Sequence, residues 1–389
     1  MHFIINSLHS VVTGMKILFV EREDPAVDTS GGIISYLNEL SQYLIKRNIT
    51  TYLLGVDVHR RSSEKKGDCS FSKCVPLVRR RHVNNVMYLL SLFLKIKFFE
   101  ITDSTIIHTQ RPDMLIPFVL FYRRNPKVCT LHGTHDISVY HKKGMFYGKV
   151  YEFLQRISFK KASALLAVDY RTREYYIEKY PWIKNKIMVI PPGVNSKKFV
   201  PMGRTVLRRK WKLSKSEKII LYVGRLEREK NLEFLIHVFK RINECIKNTR
   251  LLLVGEGRER NTLKSLVAQL NLTNVTFYGT LSHDAIPEII NCANVFAFCS
   301  LYEGSPIIIK EVLLCGVPIV SVDVGDVREI IQDIDGCHVA QRNEEDFTKK
   351  LMQALKHEKR IRISNKRRLF DYRETGIRTM HVYNSLTKK

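Results

Sequence analysis

Two carboxylates, Glu303 and Glu311, bracket the stretch Gly304-Ser305-Pro306 and an apolar run, with seven residues between them. The apolar segment 294–300 precedes them and reads as a strand. A glycine-containing turn follows, and Pro306 falls where a first helical turn tolerates a missing N–H. The predicted helix runs to about Leu314, Gly316 ends it near the C′ position, and Pro318-Ile319-Val320-Ser321-Val322 forms the next strand. A helix start of this kind gathers unpaired backbone N–H groups and the positive end of a dipole. That is an anion site, most often for phosphate. Glu311, less than two turns in, is in reach of the hydroxyls of a ribose attached to that phosphate. Glu303 reaches the same crevice from the loop. A glutamate pair alone reads as a turn contact and a solvated helix residue; the residues elsewhere in the chain reverse that reading.

Gly224-Arg225 and Lys230 follow the strand that begins at Lys218. Two cations five residues apart beside a glycine fit a diphosphate, arginine as a fork and lysine as a point charge. Gly255-Glu256-Gly257 follows another apolar strand, and its Gly-x-Gly spacing is weak on its own. Gly31-Gly32 stands between a strand, Lys16–Val20, and a helix on which Ile33, Leu37, Leu40 and Leu44 recur at helical spacing. Glycines there let backbone approach a ligand closely. His132 ends the strand Lys127–Leu131, at the C-terminal edge of a parallel sheet where ligand sites of α/β folds form, with His135 and Asp136 behind it.

The elements that must position these groups are strands and helices in alternation. At 389 residues the chain suits two domains. The boundaries read as a possible N-terminal extension over 1–14, a first domain over 15–195, a basic linker over 196–217, a second domain over 218–369 and a terminal helical segment over 370–389. Hydrophobic content of 44% is ordinary, whereas a formal charge of +26 is not, and the excess is spread over both halves. It implies an anionic partner. Eight cysteines show no zinc spacing, and Cys299 and Cys315 sit in apolar runs, so a reducing compartment fits. No stretch of 18 apolar residues exists, and the first 14 residues lack the basic start and long apolar core of a signal peptide. Arg79-Arg80-Arg81 precedes the apolar run Met87–Phe99, which reads either as a buried helix or as one lying in a membrane interface. Asp333-Ile334-Asp335 reads as an exposed turn and not as a metal site.

The block Ser300-x-x-Glu303-Gly304-x-Pro306, Glu311, then Gly316-x-Pro318-Ile319-Val320 resembles the retaining, nucleotide-sugar-dependent glycosyltransferases of family 4 (group 1), which have the GT-B fold. The likeness continues through Thr130-Leu131-His132-Gly133, Ile190-Pro191-Pro192-Gly193-Val194-Asn195, Tyr222–Leu232, Leu253–Gly257 and Val275–Gly279, so it spans nearly the whole chain in order. It implies two Rossmann-like α/β domains facing across a cleft, with a C-terminal helix crossing back to the first. It implies that Gly31 and Gly32 lie against the donor diphosphate, that backbone near Gly279, Thr280 and Leu281 holds the base, and that Gly224 and Gly255 belong to the donor site. Glu303, Gly304, Ser305, Pro306, Ile307 and Glu311 complete the donor site, and Glu303, His132, Arg225 and Lys230 carry catalysis. Two positions depart from the family pattern: Pro192 stands where asparagine is usual, and Asp326 replaces a second glycine after Gly325.

The implied reaction moves a sugar from a UDP- or GDP-sugar to a hydroxyl with retention, without metal or other cofactor. The expected acceptor is a lipid-linked glycan or glycolipid of cell-envelope polysaccharide synthesis. The expected place is the cytoplasm, peripheral on the inner face of an anionic membrane. A sugar-nucleotide epimerase of the same fold, or a transferase acting on nucleic acid or protein, is the alternative. The aromatic residues show no nucleic-acid-binding pattern, so no such partner is expected.

Overall fold

The computed structural model describes residues 14–22, 32–56, 71–78, 84–99, 101–357, 359–363 and 366–387. Gly31, Arg79–Arg81 and nearly all of the 1–14 extension lie outside them. Among the described residues the first domain holds a seven-stranded parallel sheet in the order β3-β2-β1-β4-β5-β6-β7. Its strands are β1 (Lys16–Val20), β2 (Thr50–Val56), β3 (Lys73–Val78), β4 (Thr105–Thr109), β5 (Lys127–Leu131), β6 (Ala164–Ala167) and β7 (Ile187–Val189). The helices between them are α1 (Gly32–Ile45), α2 (Asn85–Lys95), α3 (Ile116–Phe121), α4 (His135–Lys143), α5 (Met145–Lys161) and α6 (Tyr170–Lys179).

After α7 (Arg204–Lys210) comes a six-stranded parallel sheet in the order β10-β9-β8-β11-β12-β13. Its strands are β8 (Lys218–Val223), β9 (Thr249–Val254), β10 (Val275–Gly279), β11 (Val295–Phe298), β12 (Ile319–Val322) and β13 (His338–Ala340). The helices are α8 (Leu232–Cys245), α9 (Arg260–Gln269), α10 (Ile286–Cys292), α11 (Ile307–Leu314), α12 (Val327–Ile331) and α13 (Glu344–Lys356). The chain ends in α14 (Arg367–Phe370) and α15 (Tyr372–Thr387). These are the two Rossmann-like domains of the expected class.

The strands form because they are continuously apolar, as parallel strands covered on both faces must be. Ile219, Ile220, Leu221 and Tyr222 of β8 are all fully buried, each side chain worth roughly 1.5–3 kcal/mol. The crossover to the first domain is built by α15. Its Tyr383 hydroxyl lies 2.6 Å from Nδ1 of the buried His108 on β4, whose Nε2 meets Thr130 Oγ1 at 2.7 Å. Gly376 lets α15 sit against Tyr43 of α1, since a Cβ there would fall 2.3 Å from that ring. The two passages of chain between the domains are bonded to each other. Val194 N donates to Phe370 O at 2.8 Å, and Tyr372 N donates to Val194 O at 3.0 Å.

Three expectations are refined. The linker 196–217 is folded onto the second domain: Arg208 is 2% exposed and donates to Cys292 O, Asn294 Oδ1 and Glu217 O. The run Met87–Phe99 is only half a buried helix, because Tyr88 and Leu92 are core while Leu90 and Leu94 face outward at 59% and 69% exposure. Cysteine is not uniformly a free core residue. Cys129, Cys292, Cys299, Cys315 and Cys337 are free and buried and Cys245 is free and exposed, but Cys74 on β3 is disulfide-bonded.

Candidate functional site

A cavity of about 840 Å³ opens between the C-terminal ends of the two sheets. The first domain contributes Gly32 and His132, and the second contributes Gly224, Arg225, Lys230, Gly255, Thr280, Leu281, Glu303, Gly304, Ser305, Pro306, Ile307 and Glu311. Residues chosen from separate strand ends therefore meet around one space. Gly279 is the exception among the described candidates. It stands behind the wall, its carbonyl accepting from Gly255 N at 2.8 Å. Gly31 falls outside the described residues.

The loops after β8 and β9 pack by glycine. Gly255 has φ +132°, and a Cβ on it would lie 2.0 Å from Gly224 O, so only glycine lets the two turns touch. Above them the turn Arg228–Lys230 presents Lys230, whose Nζ donates to Glu303 Oε1 at 2.5 Å. The two side chains are 15% and 16% exposed, so this ion pair is mostly shielded from water. Arg225 is freer: its Nη2 is 3.7 Å from Glu229 Oε1 with 57% of the side chain exposed, a contact of little energetic weight.

Pro306 caps α11 rather than opening it, at φ −69° and ψ 114°, so the helix begins one residue later than its N1 placement implies. No side chain caps this end, and although Ile309 N donates to Pro306 O at 3.2 Å, the N–H groups of Ile307 and Ile308 before it are placed for a ligand. Gly316 follows the last turn at φ +73°, as the C′ placement predicts. Glu311 is 8% exposed, which rules out a solvated helix residue. Burial pushes its carboxyl up to about 8; Lys198 opposes that shift and Glu39 of α1 adds to it.

His132 lies across the cavity with Nε2 donating to Gln110 Oε1 at 2.8 Å, and its ring meets Tyr36 edge-on at 5.5 Å. Burial, then the neighbouring His135 and His108, push it down to about 3, and burial holds His135 near 4. Both rings are neutral at physiological pH. His135 lines the cavity, whereas Asp136 is buried beneath it, taking Tyr175 OH and Lys179 Nζ at 2.7 Å each, a structural role.

Several participants were not singled out from the sequence. Tyr36 and His283 line the cavity. Tyr36 follows Gly32 by four residues on the α1 face that bears the site, which is a usable signal; His283 offers none. Lys310 is buried and donates to Ser305 Oγ at 2.8 Å and to Pro192 O of the first domain at 2.7 Å. Ser305 Oγ donates on to Asp326 Oδ2 at 2.5 Å. Asp326 therefore occupies its unusual position as the counter-group of a buried ammonium, with burial pushing its carboxyl up to about 6 against the pull of Lys310. Asp333 and Asp335 lie on an exposed turn, and among the described residues no cluster of three or more His, Cys, Asp or Glu could hold a metal.

The arrangement can neutralise a diphosphate with Lys230, Arg225 and the start of α11, and can hold a vicinal diol with Glu311. Comparison with known proteins agrees with that chemistry. The sequence model described as glycosyl transferases group 1 matches residues 203–370, and that described as glycosyltransferase family 4 matches residues 30–198. An uncharacterized glycosyltransferase of Methanocaldococcus jannaschii is 25% identical over 248 residues, 64% of this chain and 55% of that protein. The UDP-Gal:alpha-D-GlcNAc-diphosphoundecaprenol alpha-1,3-galactosyltransferase of Escherichia coli is 27% identical over 271 residues, 68% of this chain and 67% of that one. The match to the two first relatives, both from M. jannaschii, spans only 55% and 57% of their lengths. In fold, sucrose-phosphate synthase from Thermosynechococcus elongatus superposes with a TM-score of 0.82 at 20% identity, covering 96% of this chain and 99% of that one. Anabaena HepE in complex with UDP and glucose superposes at 0.67 with 16% identity, over 96% and 97%.

Proposed function

We propose that this chain, which belongs to the glycosyl transferases of group 1 with a family 4 first half, moves a sugar from a UDP-sugar to a hydroxyl of a lipid-linked glycan. The observation that carries the reading is the Lys230–Glu303 pair, held at 2.5 Å in the wall of a cavity that both domains line. The barrier lies in parting the anomeric carbon from the diphosphate. Lys230, Arg225 and the α11 N-terminus face the negative charge that grows there, and such preorganised donors act most strongly where water is excluded. Glu311 takes the ribose hydroxyls. Glu303, oriented by Lys230, lies beside the sugar and stabilises its developing positive charge.

Retention is supported by how the wall's possible bases are already engaged. An inverting transfer needs a group able to take the acceptor proton near neutral pH. His132 and His135, pushed to about 3 and about 4, are too weakly basic, Glu303 is committed to Lys230, and Glu311, which burial pushes up to about 8, is occupied by the ribose hydroxyls. The leaving phosphate then takes the proton on the same face. The cations and the helix terminus supply the neutralisation that a metal gives elsewhere, so the reaction runs without one. UDP as carrier is supported by the galactosyltransferase and by the Anabaena complex, and the lipid-linked acceptor by the former.

A thermal-shift screen of UDP, GDP and ADP, followed by product analysis with their sugars, tests this. UDP at 100 times its dissociation constant stabilises by about 2.7 kcal/mol. Slow release of free sugar, and transfer to a polyprenyl-diphosphate sugar, is the expected outcome. An isomerised sugar nucleotide with neither release nor transfer would make the chain an epimerase.

A further inference from the structure

The helices α2, α3 and α5 follow β3, β4 and β5, and successive strands step the same way across the sheet. Right-handed crossovers then place all three helices in one layer on one face. Their inner sides share a core with Tyr88, Phe118 and Phe159. Their outer sides are unusual. On α2, Leu90 and Leu94 are 59% and 69% exposed; on α3, Phe121 is exposed; on α5, Phe146, Val150 and Phe153 lie at helical spacing with 76%, 44% and 64% exposure. Phe93 and Phe121 touch edge to face at 5.7 Å, joining α2 to α3. Single exposed apolar residues are ordinary, but a concentration on adjacent helices is a binding face.

Charge identifies what it binds. Residues 84–161 carry twelve Lys or Arg against five Asp or Glu. On α5 the exposed Lys149, Arg156 and Lys160 alternate with the apolar residues along the same side. Another protein surface would pair such cations one by one. An anionic bilayer takes apolar side chains and basic neighbours together, because the apolar groups enter the acyl boundary while the cations stay at the phosphates. Location agrees. Helix α4 starts at His135 on the cavity wall and runs nine residues to Gly144, immediately before α5, so the α5 tip stands about 13 Å from the cavity by helix rise.

We propose that the outer face of α2, α3 and α5 docks this protein on an anionic lipid surface, with the α5 tip inserted and the cavity at the bilayer edge. The proposal rests on the lipid-linked acceptor inferred above and adds the surface that delivers it. The decisive experiment is vesicle flotation of the full chain with phosphatidylglycerol-containing and pure phosphatidylcholine vesicles. The variants are Phe146→Glu/Phe153→Glu and Leu90→Glu/Leu94→Glu, with thermal unfolding and UDP binding measured on each. Wild type should float with the anionic vesicles, tenfold less with the neutral ones, and less as salt rises. Each double variant should lose at least tenfold in partitioning while keeping UDP affinity and release of free sugar from the donor. Failure of wild type to float overturns the proposal, as does flotation of the Phe146→Glu/Phe153→Glu chain at the wild-type level. So does a stable dimer that this variant dissociates, which would make the face a contact between copies. Flotation as expected, with transfer only to soluble acceptors, would leave the docking face standing and refute the lipid-linked acceptor.

Discussion

Replacing Glu311 by glutamine should separate two effects that the native carboxyl combines. The group titrates near 4.5 when unfolded and is pushed to about 8 in the folded chain, chiefly by burial. Below pH 4.5 both states hold the proton and folding is indifferent to it. Between 4.5 and about 8 the unfolded chain ionises while the folded one keeps its proton, so stability falls as pH rises. The fall approaches 1.4 kcal/mol per unit and reaches ~3 kcal/mol at pH 7, an upper figure because relaxation and entering water reduce it. Glutamine keeps the shape and removes the titration. Glu311→Gln should therefore be as stable as wild type at pH 5 and more stable, by about 1–3 kcal/mol, at pH 8. The same change removes one of the two oxygens that can accept from the ribose hydroxyls, a bond worth about 0.5–1.5 kcal/mol for an uncharged group, so UDP should bind roughly 2- to 10-fold more weakly. Urea unfolding from pH 5 to 9 reads the first effect and titration calorimetry with UDP the second. A stability difference independent of pH would refute the burial argument, and unchanged UDP affinity would remove Glu311 from the ribose.

Lys230→Ala and Arg225→Ala should each lower turnover by about 10²–10³ with the fold intact, measured as sugar transfer under saturating donor. Glu303→Ala should cut the rate far more than donor affinity, which single-turnover kinetics separates. Gly325→Ala should disturb the Glu303–Gly304 loop, because φ is +55° there and a Cβ would lie 1.7 Å from Gly304 O; it should cost about 1–3 kcal/mol of stability and weaken UDP binding. Activity should survive excess chelator, and its loss would return attention to Asp333 and Asp335.

How much of this was legible in the sequence depends on distance along the chain. Strand-end motifs were legible, because a glycine turn followed by a charged residue encodes its own geometry within a few positions. Arg225 and Lys230 are legible that way, whereas Glu303 and Glu311 stand out only through the resemblance that spans the chain; the structure gathers all four around one cavity. The partners that tune them were not. Glu39 raises Glu311 from another domain, and Tyr383 reaches His108 from 275 residues away. Neither pairing leaves a local trace. Lys310 carries no local sign of its burial, which brings its Nζ against Pro192 O of the first domain. The face on α5 was missed for a related reason. Its pattern of apolar residues is that of a core helix, and which side meets the sheet is decided by Tyr151, Gln155 and Phe159 rather than by the larger apolar count opposite.

The bonded pair of passages at Val194 and Phe370–Tyr372 has a mechanical consequence. Two strands of chain fastened edge to edge bend readily about the line that contains them but resist twisting, as a flexure does. A pair of lobes joined by a single thread would swivel and have to search for its alignment at every turnover. A joint of this kind limits relative movement of the lobes to essentially one arc, and it holds Gly133 beside Gly304 and Arg171 on Asp323. Alignment of the two halves is stored in the joint and does not have to be rebuilt by the substrate.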